Sequence, residues 1–171
     1  MDKKQCILNY AQKQTPRDLS NLGFTIIKTE GQFRKAYAMH DAATTYVAQR
    51  YLQKEFNIYP LGVDLRNYEV IIEEELPDFV IEKEDDLFCC DAKAKSSVKY
   101  FGWVNERAIV SYRKLAEACQ VPIYLVFLQV EGGNVKCDAY CNIQDETFGK
   151  KQAWNGNVVW IFPWKKGLPG L

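Results

Sequence analysis

The sequence lacks several features that would place it in a special class of protein. Its 171 residues contain no apolar run of 18, the length that a membrane-spanning helix needs. The first residues, MDKKQCILNYAQKQ, are charged and have no long apolar core, so we expect no signal peptide. No internal repeat or low-complexity segment is present. We therefore expect one domain over residues 1–171, with a core at about 33–130 and a C-terminal β extension at 131–171.

The chain also lacks an excess of charge of either sign. Its 22 Lys and Arg balance 22 Asp and Glu, which argues against a histone-like or tail-driven binder of nucleic acid. A nucleic-acid enzyme whose basic groups cluster on one face remains compatible with this balance. Apolar residues make up 47% and charged residues 26%, the profile of a globular protein with a substantial core.

Six cysteines are present, but their spacing does not define a zinc finger. Cys137 and Cys141 are separated by three residues. Cys89 and Cys90 are adjacent, and neighbours on a strand point to opposite faces. Because the cysteines lie in apolar runs, we interpret them as reduced thiols of an intracellular, cytoplasmic protein. A zinc-stabilised interaction domain that uses Cys137 and Cys141 is the alternative.

Apolar periodicity predicts alternating helices and strands in the first half of the chain. A short helix is expected near Lys4–Lys13, and a long helix from Gly31 to about Phe56, with an interruption near His40 left open. "NIYPLGVDLRN" is predicted to be a loop or an irregular strand, and "YEVIIEEEL" a strand. "DFVIE" and "LFCCDAKAK" flank the polar turn "KEDD" and predict a β-hairpin.

The second half of the chain continues this alternation. "FGWVNERAIVSYRKLAEACQ" has the period of an amphipathic helix, and "VPIYLVFLQV" fits a strand buried on both faces. "VKCDAYCNI" predicts a further strand, and "WNGNVVWIFPW" a last hairpin arm or edge strand. This order predicts an α/β fold with a mixed central sheet flanked by helices and with extra C-terminal strands.

The predicted hairpin carries three charged residues at one end. Asp91 and Lys93 lie two positions apart on a strand, so their side chains leave the same face. Burying either charge without a partner costs several kcal/mol, so we expect this end at a rim or cleft. Asp78 follows Pro77 and would lie across the hairpin from Asp91. Two converging carboxylates suit Mg²⁺ or Mn²⁺, and a neighbouring Lys would orient or activate a water.

Pro77-Asp78 followed by Asp91-Ala92-Lys93 resembles the signature of the PD-(D/E)xK nuclease superfamily, as does the order of elements over residues 33–130. The resemblance implies a restriction-endonuclease-like αβββαβ core and metal-dependent hydrolysis of phosphodiester bonds, with DNA favoured over RNA as substrate. It implies that Asp78, Asp91 and Lys93 are catalytic. Asp78, Asp91 and the carbonyl of Ala92 would bind Mg²⁺ or Mn²⁺, and Lys93 would assist the attacking water.

Many members of that superfamily add an acidic residue from the preceding helix. Asp41, Glu55 and Asp64 are the candidates here, and none lies in a recognisable motif. His40 is the only histidine of the chain. The cap-snatching endonucleases of segmented negative-strand RNA viruses are similar, with a helix histidine before the PD and D-x-K residues. That similarity implies that His40 is a metal ligand that favours Mn²⁺, beside Asp41 as a candidate acidic ligand; otherwise His40 is an ordinary helix residue.

Basic and aromatic residues interleave just after the motif, which is typical of surfaces that contact phosphates and stack on bases. The candidates for binding nucleic acid are Lys95, Lys99, Tyr100, Trp103 and Arg107. Packing of Trp103 into the core is the alternative. On the following helix, Glu106 and Tyr112 could point towards the site, whereas Glu73, Glu74 and Glu75 are interpreted as a solvated strand end.

Besides the zinc-stabilised domain, two alternatives to a nuclease stay open. Asp78 could cap a turn, while Lys93 and Lys95 protect a strand edge. The chain could also keep the nuclease fold without catalysis, as a module that binds nucleic acid or protein. Nucleic acid is the expected partner, a membrane is not, and a homodimer is left open.

Overall fold

A computed structural model describes residues 2–14, 31–61, 74–145, 150–154 and 156–171 of the protein. In these ranges there are three α-helices: α1 (Lys3–Gln14), α2 (Gly31–Leu52) and α3 (Glu106–Cys119). None of them is both long enough and apolar enough to span a membrane. The predictions of a short first helix and a long second helix are confirmed, and α2 runs through His40 without interruption.

Nine strands are described, in two sheets. They are β1 (Asn57–Pro60), β2 (Phe79–Lys83), β3 (Asp86–Lys95), β4 (Trp103–Asn105), β5 (Ile123–Glu131), β6 (Asn134–Asn142), β7 (Lys150–Trp154), β8 (Asn157–Ile161) and β9 (Lys165–Lys166). The larger sheet has the order β1-β2-β3-β5-β6-β9, and the smaller has the order β4-β8-β7.

The larger sheet is mixed, as predicted. β1, β2 and β3 form an antiparallel meander, and α3 then carries the chain to β5, which pairs parallel to β3. β6 and β9 extend the sheet with antiparallel pairing. The predicted β-hairpin and the buried strand are confirmed as β2–β3 and β5.

Helices cover both faces of this sheet, because the side chains of each strand alternate in direction. Cys89 on β3 packs into a core formed with α1 and α3. Its neighbours Phe88 and Cys90 pack into a second core formed with α2. β5 contributes buried residues to both cores, which explains its almost wholly apolar sequence.

Some element boundaries differ from the prediction. The hairpin turn is Glu84-Asp85 alone, and Glu84 adopts a left-handed conformation there (φ 54°). β8 pairs with β7 in the last hairpin, but it is the central strand of the smaller sheet, so its interpretation as an edge strand is wrong. Most of the predicted strand "YEVIIEEEL" lies outside the described residues, and its described end at 74–76 is not a strand.

The cysteines are not all free thiols. Cys6 on α1 and Cys119 at the end of α3 form a disulfide, with their Cα atoms 5.6 Å apart. The expectation of fully reduced cysteines is therefore wrong for this pair, since two residues 113 positions apart are brought together by helix packing.

The four remaining cysteines, Cys89, Cys90, Cys137 and Cys141, are free. Burial raises the pKa of the Cys141 thiol to about 12, and among the described residues no cluster of three His, Cys, Asp or Glu side chains that could hold a metal ion forms around Cys137 and Cys141. The alternative of a zinc site at Cys137 and Cys141 gains no support from this geometry.

Candidate active site

Asp78 lies at the start of β2, opposite the motif end of β3. The register pairs Phe79 with Cys90, which places Asp78 across from Asp91. Oδ2 of Asp78 accepts a hydrogen bond of 2.8 Å from the backbone N–H of Ala92. The prediction that Asp78 meets the motif strand across the hairpin is thus confirmed, and the contact fixes one of its carboxylate oxygens.

Asp91 and Lys93 leave the same face of β3, the face that α3 covers. Asp91 is only 4% exposed, and its Oδ2 lies 2.7 Å from Nζ of Lys93. This contact is an ion pair. Its geometry does not meet the criteria for a hydrogen bond to Oδ2. A buried carboxylate is therefore balanced by one adjacent ammonium group, an arrangement that proteins tolerate only when the two charges stay together.

The surroundings of this ion pair shift the pKa values of both Asp91 and Lys93. Burial raises the pKa of Asp91 to about 6 even though the Lys93 charge opposes the shift, and the Asp78 carboxylate adds to it. Burial opposes the charge of Lys93, but the neighbouring Asp91 carboxylate raises the pKa of Lys93 overall. Lys93 is consequently a cation at neutral pH, able to donate to a water or to a phosphate oxygen.

Tyr112 and Glu75 complete the wall of the site. Tyr112 is buried on α3, where its hydroxyl hydrogen-bonds Asp91 and its ring lies 5.8 Å from Nζ of Lys93. Glu75 lines a small cavity of about 100 Å³ together with Lys93 and Lys95. The helical rotation that the sequence left undecided thus turns Tyr112 towards the site.

The interpretation of Glu75 as a solvated strand end is wrong. Its side chain is half-buried, Oε1 lies 2.7 Å from Nε of Arg107, and its backbone N–H donates to Oγ of Ser111. The sequence does not distinguish Glu75 from the two glutamates before it. Its position beside the site results from the packing of this segment against α3. Glu74 instead bonds Tyr10 and Lys114, and Glu73 lies outside the described residues.

Glu106 lies on the other side of α3. It pairs with Lys151, and Nε1 of Trp160 donates to it at 3.3 Å. The smaller sheet therefore engages Glu106, and the possibility that it points to the site is wrong.

His40 approaches the site from α2. Its Nε2 lies 3.6 Å from Oδ1 of Asp78, and the proximity of this carboxylate raises the pKa of His40. Asp41 is exposed and contacts His40 at 3.9 Å, with no described contact to Asp78 or Asp91. The structure thus brings His40 to one of the two candidate carboxylates.

The other two candidates for a third acidic ligand do not join the site. Glu55 lies in the exposed turn that ends α2, next to the far end of the hairpin where Lys83 bonds the carbonyl of Lys54. The suggestion of Glu55 is therefore wrong. Asp64 lies outside the described residues.

The donor set fits a hard cation held by two carboxylates, not a complete protein cage. In the described part of the chain no three His, Cys, Asp or Glu side chains form a cluster that could hold a metal ion. Asp78 Oδ1 takes no part in the Ala92 bond, whereas Asp91 Oδ2 lies 2.7 Å from Nζ of Lys93, so a cation would share that oxygen with the ammonium group. Mg²⁺ typically takes one or two carboxylates and fills its other positions with water and substrate oxygens.

Three of the five candidate nucleic-acid-binding residues line one groove beside the site. This groove has a volume of about 470 Å³ and is lined in part by Lys95, Tyr100 and Trp103. The Lys95 ammonium donates to the backbone carbonyl of Trp103 at 2.7 Å, and burial lowers the pKa of Lys95 to about 8. Trp103 is half-buried in β4. Part of its side chain packs within the fold, and part lines the groove.

The other two candidates lie outside the groove lining. Lys99 is exposed, with its ammonium 4.9 Å from the ring centroid of Tyr100. Arg107 is 77% exposed and pairs with Glu75. Both side chains are therefore exposed to solvent.

Comparison of the chain with models of known protein families gives no match, and comparison with curated proteins gives no significant match. Membership of the PD-(D/E)xK superfamily therefore stays a prediction from the motif.

Proposed function

We propose that the protein is a metal-dependent nuclease that hydrolyses phosphodiester bonds, DNA before RNA, at the site formed by Asp78, Asp91 and Lys93. The observation that carries the proposal is that Asp78 lies across the β2–β3 pair from Asp91, while the half-buried Lys93 lies 2.7 Å from the Asp91 carboxylate. Structural ion pairs are usually exposed, whereas Asp91 is almost fully buried and its pKa is raised. Perturbed groups of this kind are enriched at catalytic sites.

The order of elements supports a restriction-endonuclease-like fold. Among the described residues, α2, β1, β2, β3, α3 and β5 follow one another as helix, three antiparallel strands, helix and parallel strand, with a short 3-10 helix (Val98–Tyr100) and β4 between β3 and α3. The candidate residues lie on the second and third of these strands, where the resemblance places them.

Each side chain has a distinct part in the proposed reaction. A divalent metal bound by Asp78 and Asp91 would supply Lewis-acid stabilisation of the charge that develops on the phosphate. Lys93 donates to the attacking water or to a non-bridging phosphate oxygen. Tyr112 holds the Asp91 carboxylate in place. The Ala92 N–H holds Asp78, so the two carboxylates keep a fixed orientation.

A second candidate is an RNA endonuclease that uses His40. The contact between His40 and Asp78 favours it, because the resemblance to cap-snatching endonucleases implies a histidine metal ligand that favours Mn²⁺. Under this alternative, His40→Ala abolishes cleavage in Mn²⁺. Under the leading proposal, His40→Ala retains most of the cleavage in Mg²⁺.

Cleavage assays test the proposal. Supercoiled, linear and single-stranded DNA and RNA are incubated with the protein in Mg²⁺ or Mn²⁺, and wild type is compared with Asp91→Asn and Lys93→Met. We expect at least about a 100-fold loss of rate in each variant, the order of magnitude of removing a general catalyst or a charge-stabilising group.

Two matched controls come from the same chain. Asp85→Asn changes a carboxylate in the exposed turn of the same hairpin, and Lys136→Met changes an exposed lysine on β6. Both should cut at the wild-type rate. Equal activity in all five proteins, or no cutting of any substrate, rejects catalysis and leaves the nuclease-like fold as a binding module.

A further inference from the structure

A groove beside the candidate active site has the dimensions of a ligand site. Its volume of about 470 Å³ lies in the range of about 300–1,000 Å³ that is usual for small-molecule pockets. Met39, Ala94 and Val159 contribute apolar surface, and Tyr100 and Trp103 contribute aromatic surface.

The groove shares part of its lining with the small cavity of about 100 Å³ beside Lys93. Lys95, Trp103 and Asn105 line both, and the smaller cavity reaches Lys93 and Glu75. A molecule seated against Trp103 therefore lies next to the residues that would contact the scissile phosphate.

Aromatic and basic groups are combined in the groove and at its border. Tyr100 and Trp103 pack edge to face, with ring centroids 5.9 Å apart. Lys99 lies over the Tyr100 ring, and the Lys95 ammonium lies against the carbonyl of Trp103. Aromatic faces bordered by cations suit a ligand that joins a flat ring to an anionic chain.

We propose that this groove binds an unpaired nucleobase of a single-stranded nucleic acid, next to the phosphodiester bond that is cut. The inference rests on the proposed function and specifies its substrate as single-stranded. In a duplex both faces of a base are covered by stacking, so only an unpaired base can enter a pocket and present its ring. Lys99 then contacts a flanking phosphate.

Binding measured without cleavage tests this inference. A fluorescein-labelled 12-nucleotide single strand, as DNA and as RNA, and the matching DNA duplex are titrated with the full-length protein in EDTA. We expect either single strand to bind at least about 10-fold more tightly than the duplex. The two single-strand arms show which sugar the groove accepts.

Variants of the groove sharpen the test. Stacking of one base contributes about 1–3 kcal/mol, so Trp103→Ala should weaken single-strand binding about 5- to 150-fold, while Trp103→Phe retains most of it. If Trp103→Ala does not fold, Tyr100→Ala tests the loss of the other aromatic ring of the groove. Trp164→Ala removes a tryptophan that is 40% exposed and does not line the groove, and it should bind like wild type.

Lys99→Ala gives an independent readout. Each phosphate contact to a single strand contributes about 0.7 to the slope of log K against log salt, so this slope should become shallower by about that amount. Lys136→Ala, at an exposed position on β6, should leave the slope unchanged.

The outcomes separate this inference from the proposed function. Equal or tighter binding of the duplex, no binding of any strand, or wild-type affinity in folded Trp103→Ala and Tyr100→Ala overturns the inference, even if the protein cuts duplex DNA. Selective single-strand binding that needs Trp103, in a protein that cuts nothing, supports the groove and rejects the nuclease.

Discussion

Asp78 is bound to the backbone of the strand that carries its partner carboxylate: Oδ2 accepts a 2.8 Å hydrogen bond from the N–H of Ala92, the residue between Asp91 and Lys93. Asp91 and Lys93 therefore lie on β3, and Asp78, in the bend directly before β2, is held by its hydrogen bond to β3. Sites built on strands keep their geometry better than sites built on loops. The candidate site is accordingly preorganised in the protein without a ligand.

Removal of Lys93 should destabilise the fold. Lys93→Met leaves the buried Asp91 carboxylate without its cation, which should cost about 3 kcal/mol, at the lower end of values for breaking a buried pair because Lys93 is 28% exposed. The double variant Asp91→Asn, Lys93→Met buries no charge and should recover part of this loss. Urea unfolding at pH 7 measures both. A single variant as stable as wild type would show that the ion pair is not buried in solution.

Lys95 should make stability depend on pH in the alkaline range. Burial lowers its folded-state pKa to about 8 from 10.5, so the unfolded chain binds more protons between these values. The free energy of unfolding should then gain up to about 2–3 kcal/mol from this residue as pH rises from 8 to 10.5. The gain is absent in Lys95→Met and present in Lys99→Met, whose side chain is exposed. Parallel pH profiles for wild type and Lys95→Met would contradict the shifted pKa.

Gly102 should not tolerate a side chain. It adopts φ +82°, and a Cβ added there would lie 2.2 Å from the carbonyl oxygen of Phe162. We expect Gly102→Ala to cost more than about 2 kcal/mol, whereas Gly133→Ala, with φ +78° and open space around it, should cost about 1 kcal/mol. Thermal unfolding compares the two. Equal costs would mean that the close approach of 102 and 162 is absent.

The disulfide between α1 and α3 should contribute to stability. Cys6 and Cys119 close a loop of 113 residues. Removal of a disulfide typically lowers the free energy of unfolding by about 2–4 kcal/mol. Titration of the denatured, unreduced protein with a thiol reagent should find four thiols, not six. The double variant Cys6→Ser, Cys119→Ser should show the same four and a lower unfolding temperature. Six reactive thiols in the wild type would exclude the pairing.

The sequence was most informative where local pattern and packing agree. The apolar run of β5 and the helical period of α3 both follow from burial, and the charges of Asp91 and Lys93 mark the end of an otherwise apolar strand. Alternation on a strand was sufficient to place Asp91 and Lys93 on one face. The hairpin was sufficient to place Asp78 opposite them.

The rest depended on contacts between distant segments. The pairing of Cys6 with Cys119 arises from the packing of α1 on α3, which no local pattern encodes. Glu75 looked like its two neighbouring glutamates until its segment packed against Ser111 and Arg107. Glu55 and Glu106 carried the right charge, but tertiary packing turned them away from the site.

The central claim is that Asp78, Asp91 and Lys93 form a metal-dependent phosphodiesterase site. Its most direct test is the single-turnover rate of cleavage of one end-labelled single strand by wild type and by Asp91→Asn, first in EDTA and then with Mg²⁺ or Mn²⁺ added back. The account predicts no cleavage in EDTA, cleavage by wild type once the metal is restored, and a rate at least about 100-fold lower in Asp91→Asn. Cleavage that persists in EDTA, or that Asp91→Asn performs at the wild-type rate, would contradict it.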